Sequence, residues 1–198
     1  MIACLLLSAG SSERFGTPKA LAQMGGEYMI VRLQKELMKS QIGQIIVVLG
    51  DHLEAIKPHL LNHKKVEFVY NKDYKNGQTS SFKAGLKNVA SHARGIMLFP
   101  VDVQFVKATT IDFLIEEFLL KKPGILIPAY KNRNGHPPIF SSRLKNDLLS
   151  LDDSQGLNAF EQQHKDQTIF VPVTDPAILY SFNTPQEFDA VKNLIGKI

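Results

Sequence analysis

Leu5-Leu6-Leu7-Ser8-Ala9-Gly10-Ser11-Ser12-Glu13-Arg14-Phe15-Gly16-Thr17-Pro18-Lys19 changes character midway, from an apolar run that begins at Ile2 to a small, polar and cationic loop. An unbroken apolar run of this length fits a strand covered on both faces. Similar runs recur at residues 44–49, 66–70, 95–100 and 125–128, and two later ones at 168–173 and 178–182 also read as strands. Helical periodicity fills the intervals at 30–39, 53–61, 80–89, 110–120 and 187–195. This alternation predicts an α/β chain, a three-layer α/β/α arrangement with a mostly parallel, Rossmann-like sheet. In such sheets the functional loops lie at the carboxyl ends of the strands.

With 198 residues, 44% of them hydrophobic, the chain is expected to fold as a single domain, 1–198, around a substantial core. The net charge of +4 is spread along the chain without a block of like charges, which argues against nucleic acid as the partner. No apolar stretch is long enough to span a bilayer, so no membrane partner is expected. The N-terminal apolar run lacks a basic leader, and the single cysteine, Cys4, excludes a disulfide framework or a Cys-rich zinc site. Both features fit a cytoplasmic protein.

The loop after the first run is where chemistry first shows. Gly10 and Gly16 permit close backbone approach or positive φ, and Arg14 and Lys19 supply charge-assisted donors of the kind phosphates prefer. The loop lacks the Gly-Lys-Ser/Thr ending of a Walker P-loop and the dinucleotide Gly-x-Gly-x-x-Gly. Read alone, it fits a flexible loop with two solvated cations as well as it fits a phosphate cradle. The pattern Leu7-Ser8-Ala9-Gly10-x-Ser12-x-Arg14-x-Gly16-x-x-Lys19, however, resembles the signature of the enzymes that attach CMP or GMP to molybdopterin. These belong to the MobA-like NTP transferase superfamily, which has a nucleotide-diphospho-sugar transferase type of fold. The resemblance implies a loop that wraps a triphosphate, with Leu7, Ser8, Ala9, Gly10 and Ser12 binding nucleotide and Arg14 and Lys19 neutralising phosphate charge.

Two further segments extend the likeness. Gly77-Gln78-Thr79-Ser80-Ser81-Phe82-Lys83-Ala84-Gly85-Leu86 opens a helix, where Thr79 or Ser80 could serve as N-cap. It is similar to the stretch that meets base and ribose in cytidylyl-transferring relatives, which implies nucleotide contacts from Gly77, Ser80 and Ser81. Asp102 ends the run Ile96-Met97-Leu98-Phe99-Pro100-Val101, and a carboxylate there can hold a hard cation beside a phosphate. The family's Asp at this place binds the metal, although here Val103-Gln104 stands where Met-Pro is expected.

The segment Pro128-Ala129-Tyr130-Lys131-Asn132-Arg133-Asn134-Gly135-His136-Pro137-Pro138-Ile139-Phe140 is close to that of the molybdenum-cofactor cytidylyltransferase branch, with Asn132 in place of a Gly. It implies an acceptor loop of Gly135, His136 and Pro137, with the role of the His open. Two departures follow. Asp152-Asp153-Ser154-Gln155-Gly156-Leu157-Asn158 lacks the arginine of the family's Asp-x-Gly-Ala-Arg, and Asn183 replaces a second metal-binding carboxylate. An amide oxygen can ligate magnesium without contributing charge, and Thr184-Pro185 reads as a helix start.

Together these readings imply a Mg²⁺-dependent transfer of CMP from CTP, or of another nucleotidyl group, to a phosphorylated acceptor, molybdopterin above others. The altered acceptor motif leaves room for a sugar or alditol phosphate. A non-catalytic carrier that delivers molybdenum cofactor to a hydroxylase of the xanthine dehydrogenase type is the rival from another class. An oxidoreductase is a third, against which stands the missing dinucleotide fingerprint.

Overall fold

The computed structural model describes residues 1–195. Among these residues ten strands and seven α-helices alternate. In order they are β1 Ile2–Ser8, β2 Gln23–Met24, β3 Glu27–Tyr28, α1 Met29–Lys39, β4 Gln44–Leu49, α2 Leu53–Ile56, β5 Val66–Tyr70, α3 Gln78–Leu86 and β6 Gly95–Pro100. There follow α4 Ala108–Lys121, β7 Ile125–Tyr130, β8 Arg133–Asn134, β9 Ile139–Ser141, α5 Lys145–Ser150, α6 Leu157–Gln163, β10 Thr168–Pro172 and α7 Pro185–Ile195. Apart from the β2–β3 hairpin, all strands join one mixed sheet in the order β10-β7-β9-β6-β1-β4-β5, with β8 beside β7. Only β8 and β9 run against the rest. The α/β class, the three layers and the mostly parallel sheet expected from the sequence are therefore what the chain adopts.

β1 lies mid-sheet with no water on either side, and the two-residue period of a strand divides its side chains between two cores. Ile2, Cys4 and Leu6 pack with α1, α4 and α7 on one face. Ala3, Leu5 and Leu7 pack with α3, α5 and α6 on the other. Burial pushes the Cys4 thiol far above its ordinary pKa, so it behaves as a small apolar side chain. Parallel pairing of β1 with β4 and β6 brings the ends of all three to one edge. The chain turns there, and that edge carries the site.

Several sequence expectations need correction. Residues 178–182 are not a strand: Asp175 accepts a hydrogen bond from the Ala177 N–H at 2.9 Å and starts a 3-10 turn, Pro176–Leu179. An Asp-Pro pair is turn chemistry, and it overrides the short apolar run that follows. The helix expected over 53–61 stops at Ile56 and continues as a 3-10 turn over Lys57–His59, because Pro58 has no N–H to return to the Glu54 carbonyl. Neither Thr79 nor Ser80 caps α3, which starts from Gly77 at φ 98° without a side-chain cap. At α7 the expectation holds: Thr184 Oγ1 accepts from the Glu187 N–H at 3.2 Å, and Glu187 reaches back to the Asn183 and Thr184 N–H groups. The antiparallel β9, inserted between β6 and β7, was not foreseen, since three residues after Pro137-Pro138 are too few to carry a period.

Gly50, just past β4, lets that strand's end close against the β1 loop. A Cβ there would lie 2.3 Å from the Ala9 carbonyl oxygen. Gly50→Ala is therefore expected to cost about 1–3 kcal/mol in urea unfolding, and a midpoint equal to that of the wild type would refute this close approach.

Candidate functional site

The loop that leaves β1 is shaped by its own short contacts. Ser12 has φ 56°, its carbonyl accepts from the N–H groups of Phe15 and Gly16, and Gly16 has φ 81°. Ser12 Oγ accepts from the Lys19 N–H at 3.2 Å, closing the far end of the loop. Phe15 turns inward and packs on Phe182 and Phe188 at ring-centroid distances of 5.4 and 5.9 Å. This aromatic contact fixes the loop against the chain that enters α7, and so explains how positions 14 and 183 meet. The N–H groups of residues 10–14 have no hydrogen-bond partner among the described residues, and all five residues line one open cleft of about 760 Å³. That volume is within the range of ligand sites.

At the floor of the cleft the charged groups converge. Lys19 Nζ lies 2.8 Å from Asp102 Oδ2 and donates to Asn183 Oδ1 at 2.9 Å. Arg14 donates to the same Asn183 oxygen at 3.1 Å. Asp102 sits in a turn that begins when the Val101 N–H donates to the Leu7 carbonyl at 3.0 Å and closes when the Val103 N–H donates to the Pro100 carbonyl. Val103 is buried and the Gln104 amide folds back onto the Val101 carbonyl, so the turn forms with Val103-Gln104 in place of Met-Pro.

Of the residues singled out in the sequence, Leu7, Ser8, Ala9, Gly10, Ser12, Arg14, Lys19, Gly77, Ser81, Asp102, His136 and Asn183 line this cleft. Three do not. Ser80 Oγ is spent inside the protein, donating to the Asp73 or Gly77 carbonyl and accepting from Asn71. Gly135 packs on the 176–179 turn, where a Cβ would lie 2.5 Å from the Ile178 carbonyl oxygen, and Pro137 is buried. His136 is held by its N–H, which donates to Ile178 O at 2.9 Å, and burial lowers the pKa of its ring while the nearby Asp102 charge opposes that shift. Its Nδ1 is buried and makes no hydrogen bond among the described residues.

The sequence reading missed Asn71, Tyr74 and Gln78. Tyr74 and Gln78 line the cleft, and Tyr74 is tied to Asp51 at 2.8 Å. Asn71 is buried and donates to both Ser80 Oγ and Ser81 Oγ, at 3.0 and 3.1 Å. An Asn directly after a strand and before a Ser-Ser pair is the signal that could have found it. Because Ser81 Oγ accepts this bond, its own hydrogen is left for a ligand in the cleft. The 152–158 segment lies over α3, held by Lys83 on Asp153 at 2.9 Å and by Thr79 on the Gln155 carbonyl at 2.7 Å.

Among the described residues no group of three or more His, Cys, Asp or Glu is placed to hold a metal ion. Asp102 Oδ1 makes no hydrogen bond among them, so one carboxylate oxygen is free for a hard cation. One protein carboxylate fits an ion whose other ligands are phosphate and water oxygens, and it does not make an all-protein cage. No described helix is long and apolar enough to cross a membrane.

Comparison with known proteins adds to this geometry. The model of the MobA-like NTP transferase domain matches residues 4–168. A probable UDP-N-acetylglucosamine pyrophosphorylase of Acanthamoeba polyphaga mimivirus is 29% identical over 129 residues, covering 63% of this chain and 50% of the relative. A probable molybdenum cofactor guanylyltransferase of Bacillus cereus (strain Q1) is 29% identical over 114 residues, covering 57% of this chain and 54% of the relative. The chain thus spans about half the length of these curated relatives. Among solved structures, Rv0371c of Mycobacterium tuberculosis H37Rv superposes with a TM-score of 0.84 at 21% identity over 97% of both chains, and its manganese complex with 0.76 at 20% identity over 97% of this chain and 98% of that one. At such identity the likeness is one of fold.

Removing the Asn71 amide takes one hydrogen bond from buried Ser80 and leaves the buried Ser81 hydroxyl without a partner among the described residues. Asn71→Ala is expected to cost about 1–3 kcal/mol in urea unfolding, well beyond an ordinary surface change, and a loss below about 0.5 kcal/mol would show the network to be incidental.

Proposed function

The chain belongs to the MobA-like NTP transferase domain family, a family of nucleotidyltransferases, and from that premise we propose that it transfers CMP from CTP to a phosphorylated acceptor, molybdopterin, releasing pyrophosphate. The observation that carries this reading is the convergence of Arg14 and Lys19, from the loop after β1, with Asp102, from the turn after β6.

An oxygen of the acceptor phosphate attacks the α-phosphorus in line. The new P–O bond forms as the bond to the oxygen bridging α- and β-phosphorus breaks, and pyrophosphate leaves with that electron pair. A phosphate acceptor is already anionic near neutral pH, so alignment and charge stabilisation do most of the work. Arg14, Lys19 and the unpartnered N–H groups of residues 10–14 receive the triphosphate. Asp102 would hold a magnesium ion brought in by the nucleotide, which when bound neutralises phosphate charge. Ser81 offers its free O–H to a carbonyl of the base, a role open to cytosine O2. His136 lines the cleft and would meet the acceptor phosphate there, while Gly135 and Pro137 place it.

A sugar phosphate as acceptor is the second reading. It is favoured by the missing arginine in 152–158 and by the name of the mimivirus relative.

The test is pyrophosphate release with each of the four nucleoside triphosphates and Mg²⁺, with molybdopterin, a sugar 1-phosphate or no acceptor. Release that requires CTP and molybdopterin together is expected. Lys19→Ala and Asp102→Ala should each lower turnover by about 10²–10³ while leaving urea midpoints close to that of the wild type. Near-wild-type turnover in either variant would remove that residue from the machinery.

A further inference from the structure

We propose that His52 is a positioning residue for the loop that follows β1: its Nε2–H holds the Ser11 carbonyl away from the cleft and so turns the Ser12 N–H into it. This deepens the nucleotidyl-transfer reading and rests on it for the identity of the anion. Nε2 of the imidazole lies 2.9 Å from the Ser11 carbonyl oxygen. A carbonyl oxygen only accepts, so Nε2 carries the hydrogen. Asp51 Oδ2 stands 3.6 Å from the same nitrogen, too far for a hydrogen bond, which leaves Ser11 as its partner. His52 also precedes α2 without capping it, so its side chain has no task in starting that helix.

The effect on the loop follows from peptide geometry. In a trans peptide the C=O and the N–H point in opposite directions. The Asp51 N–H donates to the Ala9 carbonyl at 3.2 Å and His52 donates to the Ser11 carbonyl, so two alternate peptides are pulled by their oxygens towards residues 50–52. Their N–H groups, those of Gly10 and Ser12, then face the other way. Neither has a partner among the described residues, and both residues line the cleft. The Ser12 carbonyl is held in turn by the Phe15 and Gly16 N–H groups, which by the same rule turns the Glu13 N–H away from them. N–H groups gathered in this way form an anion-binding concavity. Ser12 sits at φ 56°, a left-handed conformation that a serine keeps only where its surroundings fix it. Backbone alone fixes the Ala9 peptide, through the close approach of Gly50. The Ser11 peptide depends on one side chain, His52, whose loop is tied to the turn after β5 by the Tyr74 O–H donating to Asp51 at 2.8 Å.

The probe is inorganic tripolyphosphate, titrated calorimetrically into the full chain without metal, with circular dichroism to show that each variant is folded. Gln and Met are both uncharged and carry a terminal atom as many bonds from Cα as Nε2 of His, but only Gln has an N–H there. His52→Met is expected to weaken binding by about tenfold, and His52→Gln to stay within about threefold of the wild type. A His52→Gln variant as weak as His52→Met would show that the imidazole acts through charge or shape, and wild-type affinity in His52→Met would show that it does not act on the loop; either result overturns the assignment. His52→Ala supplies the same comparison if His52→Met does not fold. The peptides themselves are read from the amide resonances of an isotope-labelled chain. On adding tripolyphosphate the Gly10 and Ser12 N–H protons should both move downfield in the wild type, whereas in His52→Met the Ser12 shift is lost and Gly10 keeps its own. An unmoved Ser12 amide in the wild type also overturns the assignment. Neither readout depends on turnover. If both patterns appear in a chain that releases no pyrophosphate from any nucleotide, the transfer reading falls and His52 keeps its role; if pyrophosphate is released and His52→Met binds tripolyphosphate like the wild type, His52 loses its role and the transfer reading stands.

Discussion

The Lys19 ammonium holds the site together. It is shared between Asp102 at 2.8 Å and Asn183 at 2.9 Å, and so joins the loop after β1, the turn after β6 and the segment that enters α7. Those three pieces are distant in sequence and irregular in backbone, and irregular loops have few contacts of their own to fix them. A half-buried ion pair with two hydrogen-bonded neighbours ties them to one another. It does this with groups whose charge is also suited to a phosphate. The same contacts that order the resting loops are the ones a ligand must exchange for its own, so the site is ordered before anything binds.

That exchange is possible only because the sheet delivers its strand ends to one place. β1 is paired in parallel on both sides, with β4 and with β6, so the loop at its carboxyl end faces the ends of both neighbours. Close approach then depends on small residues. Gly50 admits the Ala9 carbonyl and Gly135 admits the Ile178 carbonyl, and at each a methyl group would fall well inside contact distance. Phe15 does the opposite. It fills space between the loop and α7 with a buried ring, converting a glycine- and serine-rich segment into one anchored by aromatic packing. Rigid scaffold, tight approach and one hydrophobic anchor place the polar loop.

What the sequence disclosed follows from which interactions are local. Buried parallel strands and amphipathic helices write their surroundings into consecutive residues, so β1, β4, β6 and α1 could be read directly. β9 could not, because its existence depends on the gap between β6 and β7 and only three residues fill it. The 178–182 run misled for the complementary reason: it is apolar because it is buried, yet Asp175 and Pro176 set its backbone. Within the site, the motif matches named most of the lining but also Ser80, which lies off it with its hydroxyl donating to the Asp73 or Gly77 carbonyl. Asn71 itself was silent because it lies outside the quoted motif and touches nothing but the protein. Hydrogen bonds between side chains far apart in sequence leave no periodic trace.

The role of position 183 illustrates the limit of reading chemistry from residue type. Asparagine in a place associated with a metal-binding carboxylate looks like a loss of function when only ligand charge is counted. Placed in the structure, the same oxygen accepts from Arg14 and Lys19, so its neighbours and not its type alone decide what it can hold. Phosphate recognition needs positive charge that is both held in place and left uncancelled. Acids meet the first need at the expense of the second, and open solvent meets the second at the expense of the first. At position 183 an amide oxygen lies within hydrogen-bond distance of both Arg14 and Lys19, and Asp102 has one oxygen without a hydrogen bond among the described residues.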